Sequence, residues 1–181
     1  RPKCKKENLR HLGNKIKYVD CDITDFKKLN TVINSDFYAI MHFAALINVD
    51  LSRFKPTSFL DVNVRGTANL IEIARIKRIP EFIHMSTCEV YGNMPEGKAD
   101  ENYPLNPLSP YAASKLIAEK YLLSYSYTYE KPKIVIIRGF NQYGPRQSAG
   151  KWGAVIPKFI TLCCMGGKIT IFGNGNQSRD Y

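Results

Sequence analysis

Lys133-Ile134-Val135-Ile136-Ile137-Arg138 places four β-branched apolar side chains in a row, the pattern of a strand buried on both faces. The stretch before it, 110–129, has apolar residues at helical spacing behind Pro110, a residue suited to a helix's first turn. Earlier still, Glu81-Phe82-Ile83-His84-Met85-Ser86 reads as a second strand. Strand, helix, strand in that order predicts a parallel sheet.

Working outward, 16–21, 38–43 and 169–172 read as further strands, and 25–33 (opened by Thr24 as N-cap), 56–76 and 155–164 as helices. The expected fold is α/β: a doubly wound parallel sheet, Rossmann-like, with helices on both faces and ligands beyond the carboxyl ends of the strands. No G-x-G-x-x-G or G-x-x-G-x-x-G loop follows any strand, so the fold is expected to be truncated at the N-terminus by a unit of roughly 30 residues. The expected division is a partial NAD(P)-binding Rossmann domain over 1–150, lacking the glycine-rich loop, and the start of a smaller substrate domain over 151–181.

Composition narrows the function classes. The 181 residues are 44% hydrophobic and 12% aromatic, enough for a globular core. No apolar run approaches the ~20 residues that cross a bilayer, so neither a span nor a membrane partner is expected. Cys4, Cys21, Cys88, Cys163 and Cys164 are odd in number and form no C-x-x-C pair. They suit reduced thiols in a cytoplasmic protein, with no disulfide framework and no metal site. The formal charge of +10 would admit nucleic acid or an anionic substrate. The lysines are scattered and no arginine-rich run occurs, so no nucleic-acid partner is expected.

Tyr111 and Lys115 form a Y-x-x-x-K pair whose i,i+4 spacing puts both side chains on one helix face. An ammonium beside a phenol favours the phenolate and lowers its pKa from about 10 toward that of a general base. The strand 81–86 runs into Thr87-Cys88-Glu89-Val90-Tyr91-Gly92, which sets a hydroxyl, a thiol and a carboxylate at the sheet edge where this fold binds ligands.

Met85-Ser86-Thr87-Cys88-Glu89-Val90-Tyr91-Gly92 with Tyr111 and Lys115 resembles the extended short-chain dehydrogenase/reductase family, in particular its nucleotide-sugar epimerases, dehydratases and decarboxylases. Further segments resemble the family in order. Cys21-Asp22-Ile23-Thr24-Asp25 is similar to its adenine-contacting turn, His42-Phe43-Ala44-Ala45 to the loop beside the cofactor, and Asn63-Val64-Arg65-Gly66-Thr67 to its N-V-x-G-T helix. Arg138-Gly139-Phe140-Asn141-Gln142-Tyr143-Gly144-Pro145-Arg146 and Arg179-Asp180-Tyr181 resemble the two segments that hold the substrate pyrophosphate.

The resemblance implies a base (Tyr111), its electrostatic partner and ribose ligand (Lys115), and a hydroxyl that completes the triad and meets the substrate (Thr87). It implies Asp22, Ile23, Phe43, Ala44, Ala45 and Asn63 as cofactor contacts, with Asn141, Val155, Phe172 and Arg179 as substrate contacts. Two residues also suit structural work: Asp22 as a carboxylate capping a turn, Asn63 as a buried polar tether. Val155 and Phe172 equally fit core positions. The implied cofactor is NAD, with NADP open, the substrate a nucleotide-diphosphate sugar, and the assembly a homodimer through helices 56–76 and 110–129.

A 4-keto sugar is a branch point, and Glu89 weighs on the choice. The family's 4,6-dehydratases and decarboxylases keep a Glu there, in the former as the base for the C5 proton, whereas galactose-type 4-epimerases usually do not. Cys88 departs from the thymidine-diphosphoglucose dehydratases, which place an acidic Asp at that position. The reading leans to a 4,6-dehydratase, with UDP-sugar 4-epimerase next, UDP-glucuronate decarboxylase third, and a non-catalytic nucleotide-binding module as the rival class.

Overall fold

The computed structural model describes residues 6–94, 98–147, 150, 153–171, 173–176 and 178. The chain forms two compact units, one of Asp20–Phe140 and one of Arg1–Val19 with Asn141–Tyr181.

In the first unit, α1 (Phe26–Val32) leads to β1 (Ala39–His42), then α2 (Val49–Phe54) and α3 (Pro56–Phe59). A π-helical turn, Leu60–Arg65, runs without a break into α4 (Gly66–Ile76). There follow β2 (Glu81–Met85), a 3-10 turn (Cys88–Tyr91), α5 (Pro110–Thr128) and β3 (Lys133–Ile137). The strands are all parallel in the order β1-β2-β3, with His42 beside His84 and His84 beside Ile136. The expected parallel α/β sheet is therefore present.

Alternation along the strands decides what is buried. Phe82 and His84 are buried beneath the helices, and Leu29 from α1, Ile33 just after it, Leu70, Ile71, Ile73 and Ala74 from α4, Ile79, and Leu122 from α5 join Phe82 in one core. Met41, Val135 and Ile137, on the alternate positions, are exposed. Among the described residues of this unit the helices pack on the face that carries Phe82 and His84.

Three local expectations change. Asp25, not Thr24, caps α1: its carboxylate accepts from Lys28 N at 3.0 Å, while the Thr24 hydroxyl donates to Asp22. Helix 56–76 is interrupted by the π turn that carries Asn63. Segments 16–21 and 169–171 form no strand. Tyr18, Val19, Ile169 and Ile171 are exposed, and β-branched residues make a strand only where a ladder partner and a packing surface meet them. The sequence pattern also missed α2, capped by Asn48 accepting from Leu51 N at 2.6 Å.

The second unit holds a 3-10 segment, Lys6–Lys15, and α6 (Val155–Cys164). Arg146 donates to the Asn8 carbonyl at 2.8 Å inside it.

Candidate active site

Thr87 leaves β2 as the N-cap of the 3-10 turn, its hydroxyl accepting from Glu89 N at 3.2 Å. The backbone on either side of it is tied to the chain leaving β3: Ser86 N donates to Ile137 O at 2.7 Å and Cys88 N to Gly139 O at 2.9 Å. Gly92 ends the turn at φ 70°, where a Cβ would run into the Asn106 carbonyl. Ser109 caps α5 by accepting from Ala112 N at 3.1 Å, and Pro110 fills the first turn. Tyr111 and Lys115 follow one turn apart, both buried.

These elements gather the proposed triad. Burial pushes the Tyr111 phenol above its ordinary value, the Thr87 hydroxyl beside it pulls it down, and nearby Glu89 and Cys88 push it up. Thr87, Cys88 and exposed Glu89 therefore all bear on the phenol. The expected lowering by Lys115 is not found: the influences on the phenol are burial, Thr87, Glu89 and Cys88, and burial, the largest, raises it. Burial also pulls the Lys115 ammonium down to about 8, opposed by the charge of Glu119. Among the described residues Lys115 makes no ion pair.

Below the lysine lie two histidines that the sequence reading passed over. Burial, then the charge of Lys115, pulls His42 down to about 3 and His84 to about 2, so both are neutral near pH 7. Their rings stand 5.2 Å apart. Thr67 donates its only hydroxyl proton to Asn63 O at 2.6 Å, so it must accept from His42 Nε2, 2.9 Å away, which fixes that tautomer. Both His84 nitrogens are buried without a hydrogen-bond partner.

Asn63 sits at the centre of a second network. Its Oδ1 accepts from Leu46 N at 2.8 Å, and its Nδ2 donates to Leu46 O and to Ser114 Oγ, each at 2.9 Å. Ser114 in turn donates to the Tyr111 carbonyl at 2.7 Å. Asn63 is thereby a tether from the π turn to the loop after β1 and to the helix of Tyr111. In that loop Phe43 and Ala44 are exposed and Ala45 half-buried.

Asp22 Oδ1 accepts from Thr24 N and Thr24 Oγ1, both at 3.0 Å, in a turn closed by Asp25 N on Asp22 O. Ile23 presses on Gly66, where a Cβ would stand 2.5 Å from Ile23 Cδ1. Asn141 and Val155 belong to the second unit and are exposed. Phe172 and Arg179 lie outside the described residues. Besides the histidines, the sequence reading missed Glu119 and Ser114. Glu119 lies four residues after Lys115 on the same helix face, a spacing that could have revealed it.

Comparison with known proteins places the chain among relatives of known kind. The family model described as GDP-mannose 4,6 dehydratase matches residues 2–181. The dTDP-D-glucose 4,6-dehydratase of Homo sapiens is 39% identical over 178 residues, 97% of this chain and 50% of that protein. Among solved structures, UDP-N-acetylglucosamine 4-epimerase from Methanobrevibacter ruminantium M1 superposes with a TM-score of 0.90 at 34% identity, over 97% of this chain and 56% of that one. DesIV, a dTDP-glucose 4,6-dehydratase from Streptomyces venezuelae solved with NAD bound, gives 0.85 at 35% identity, over 94% and 52%. The chain spans about half the length of the curated relatives it matches. On the match over 2–181 and the Thr87, Tyr111 and Lys115 arrangement, the chain belongs to the GDP-mannose 4,6-dehydratase family of extended short-chain dehydrogenases/reductases.

Proposed function

We propose that this chain is the catalytic cofactor-binding part of an NAD-dependent nucleotide-sugar 4,6-dehydratase that works through a 4-keto sugar. The observation that carries the reading is the convergence of Thr87 and Glu89 on Tyr111 at the carboxyl end of β2, with Lys115 buried one turn further along α5.

The residues present fit NAD. Lys115 offers an ammonium engaged in no ion pair among the described residues, and the exposed Phe43 and Ala44 follow β1 where this fold meets dinucleotides. Bound NAD would supply the acceptor for the hydride leaving sugar C4. Tyr111 takes the 4-hydroxyl proton, Thr87 orients that hydroxyl, and Lys115 steadies the phenolate. Glu89, whose carboxylate is exposed, then removes the C5 proton as water departs from C6. Asp22, Ile23 and the 43–45 loop serve the cofactor, with Asn63 acting through its hold on that loop. Asn141, Val155, Phe172 and Arg179 serve the nucleotide diphosphate.

The second reading, a 4-epimerase, is favoured by Cys88, which puts a thiol where the thymidine-diphosphoglucose dehydratases place an acidic Asp, and by the 0.90 likeness to an epimerase. In either case residues 1–150 serve as the partial Rossmann domain and 151–181 open the substrate region. A homodimer is supported by Leu60, Ile76, Ile117, Tyr121 and Tyr127, all exposed on the helices within 56–76 and 110–129. A cytoplasmic setting and a role in carbohydrate biosynthesis are supported by the free thiols of Cys21, Cys88, Cys163 and Cys164 and by the sugar chemistry. Among the described residues no helix is long and apolar enough to cross a membrane.

The test is mass spectrometry of the products formed by the full-length enzyme with NAD and a panel of uridine, thymidine and guanosine sugars. Loss of water is the expected result. Unchanged mass with altered stereochemistry establishes the epimerase, loss of carbon dioxide the decarboxylase, and no turnover of any sugar overturns the enzyme reading.

A further inference from the structure

Tyr111, Lys115 and Glu119 occupy successive turns on one face of α5, and Glu119 is fully buried. Its carboxylate is the meeting point of three segments. Arg138, just past β3, donates from Nε to both Glu119 oxygens at 3.2 Å and from Nη2 to Oε2 at 2.9 Å. Arg138 is itself fixed by Nη1 donating to Tyr91 Oη at 3.1 Å and to Glu101 O at 3.2 Å, with its guanidinium 5.0 Å from the Tyr91 ring centre. Ser86, just past β2, donates its hydroxyl to Glu119 Oε1. The backbone flanking Thr87 pairs with Ile137 and Gly139, the residues on either side of Arg138. The result is a closed circuit that runs from the Thr87 segment to the Arg138 segment, across to Glu119, and back through Ser86.

We propose that Glu119 is a positioning residue of the catalytic centre: held by Arg138 and Ser86, its carboxylate locks the Thr87 segment to the helix of Tyr111 and Lys115 and supplies the counter-charge for Lys115. The role in the reaction rests on the function proposed above, whereas the hold on Lys115 does not. The groups that act on the lysine or feel its charge are His42 from β1 and His84 from β2, both neutral, and Glu119 from α5 itself, with Tyr111 one turn before it on the same helix. Glu89 and Cys88 on the 3-10 turn act on Tyr111. Glu119 is the acidic group that opposes the loss of the Lys115 proton.

The test compares full-length wild type with Glu119→Gln by pulsed acetylation across pH, read at Lys115 by mass spectrometry, alongside the pH profile of kcat. Removing an opposite charge at this range should move the acetylation midpoint of Lys115 down by about one pH unit, a tenfold gain in reactivity at fixed pH, and carry the alkaline limb of kcat with it. A Glu119→Gln protein that melts cooperatively and keeps the wild-type midpoint overturns the proposal. Should that variant fail to fold, Ser86→Ala carries the test, since it removes one donor and keeps the charge. Its kcat should fall about tenfold with sugar KM unchanged, and an unchanged kcat overturns the proposal. A shifted midpoint in a protein that turns over no nucleotide sugar leaves the hold on Lys115 standing and removes the proposed reaction instead.

Discussion

His84→Leu should stabilise the full-length protein, and increasingly so in acid. His84 is fully buried with neither ring nitrogen hydrogen-bonded, and such groups cost about 1–3 kcal/mol each, a cost that an apolar side chain of similar size removes. The pH dependence follows from its proton affinity. Unfolded, the imidazole titrates at its ordinary 6.5; folded, burial holds it at about 2. The native state therefore suffers no penalty above 6.5 and loses stability steadily as pH falls toward the folded value, because only the unfolded chain takes up the proton. At about pH 5 the unfolded state gains roughly 2 kcal/mol from this one residue, a figure insensitive to the folded value while that stays well below 5. His42, held at about 3, adds a similar amount and survives in the variant. Lys115, at about 8, is mostly protonated in both states across this range and changes the difference by only about 0.2 kcal/mol. Between about pH 7.5 and 5 wild type should thus lose about 4 kcal/mol from the two histidines and His84→Leu about 2. Urea denaturation at a series of pH values, with m unchanged, measures both. Parallel stability curves for the two proteins would refute the reasoning, since they would mean that His84 accepts a proton inside the fold.

Gly66→Ala should cost about 1–3 kcal/mol, since its Cβ would stand 2.5 Å from Ile23 Cδ1 and 2.6 Å from Ile23 Cγ1; pairing it with Ile23→Ala should restore more than additivity allows, read as a double-mutant cycle by denaturation. Asn63→Ala removes three hydrogen bonds that join Leu46 to Ser114 and should cost about 2–4 kcal/mol. It should also weaken NAD binding, which calorimetry on the full-length enzyme would show. Tyr111→Phe should lower kcat by about 10²–10⁴-fold while sugar-nucleotide binding and melting temperature hold, and an active variant would assign the base elsewhere.

Much of the fold was legible because parallel strands carry their own signature. The β-branched run at 134–137 and the alternating run at 81–85 became adjacent strands with the helix between them. The same signature failed at 16–21, where Tyr18 and Val19 are exposed, since a strand needs a neighbour that local sequence cannot supply. Of the candidate site, the placing of Thr87 beside Tyr111 was expected from a strand end and the family resemblance, and that of Lys115 one turn beyond Tyr111 from their spacing. Two kinds of residue were not. His42 and His84 look like ordinary polar punctuation in apolar strands, and their burial follows only from pairing in register on the covered face. Asn63 reads equally as ligand or tether until its three bonds to Leu46 and Ser114 are seen.

The polar groups of α5 explain why that helix can lie buried along one face. Each of three side chains on it meets a different group at the sheet's carboxyl edge: Tyr111 meets Thr87 beyond β2, the charge of Lys115 reaches His42 at the end of β1 and His84 in β2, and Glu119 takes Arg138 beyond β3. Isolated burial of any one charge would be costly, and a buried pair recovers that cost only with good geometry and further hydrogen bonds. Glu119 and Arg138 meet both conditions through the guanidinium fork and Ser86. Lys115 has no such partner of its own: burial pulls its ammonium down to about 8, and the charge of Glu119 one turn away opposes that loss. The lysine is the stronger base, so its charge is itself one of the influences that keep His42 and His84 neutral, and a substitution that raised either imidazole toward its ordinary value would still leave the proton on Lys115 first.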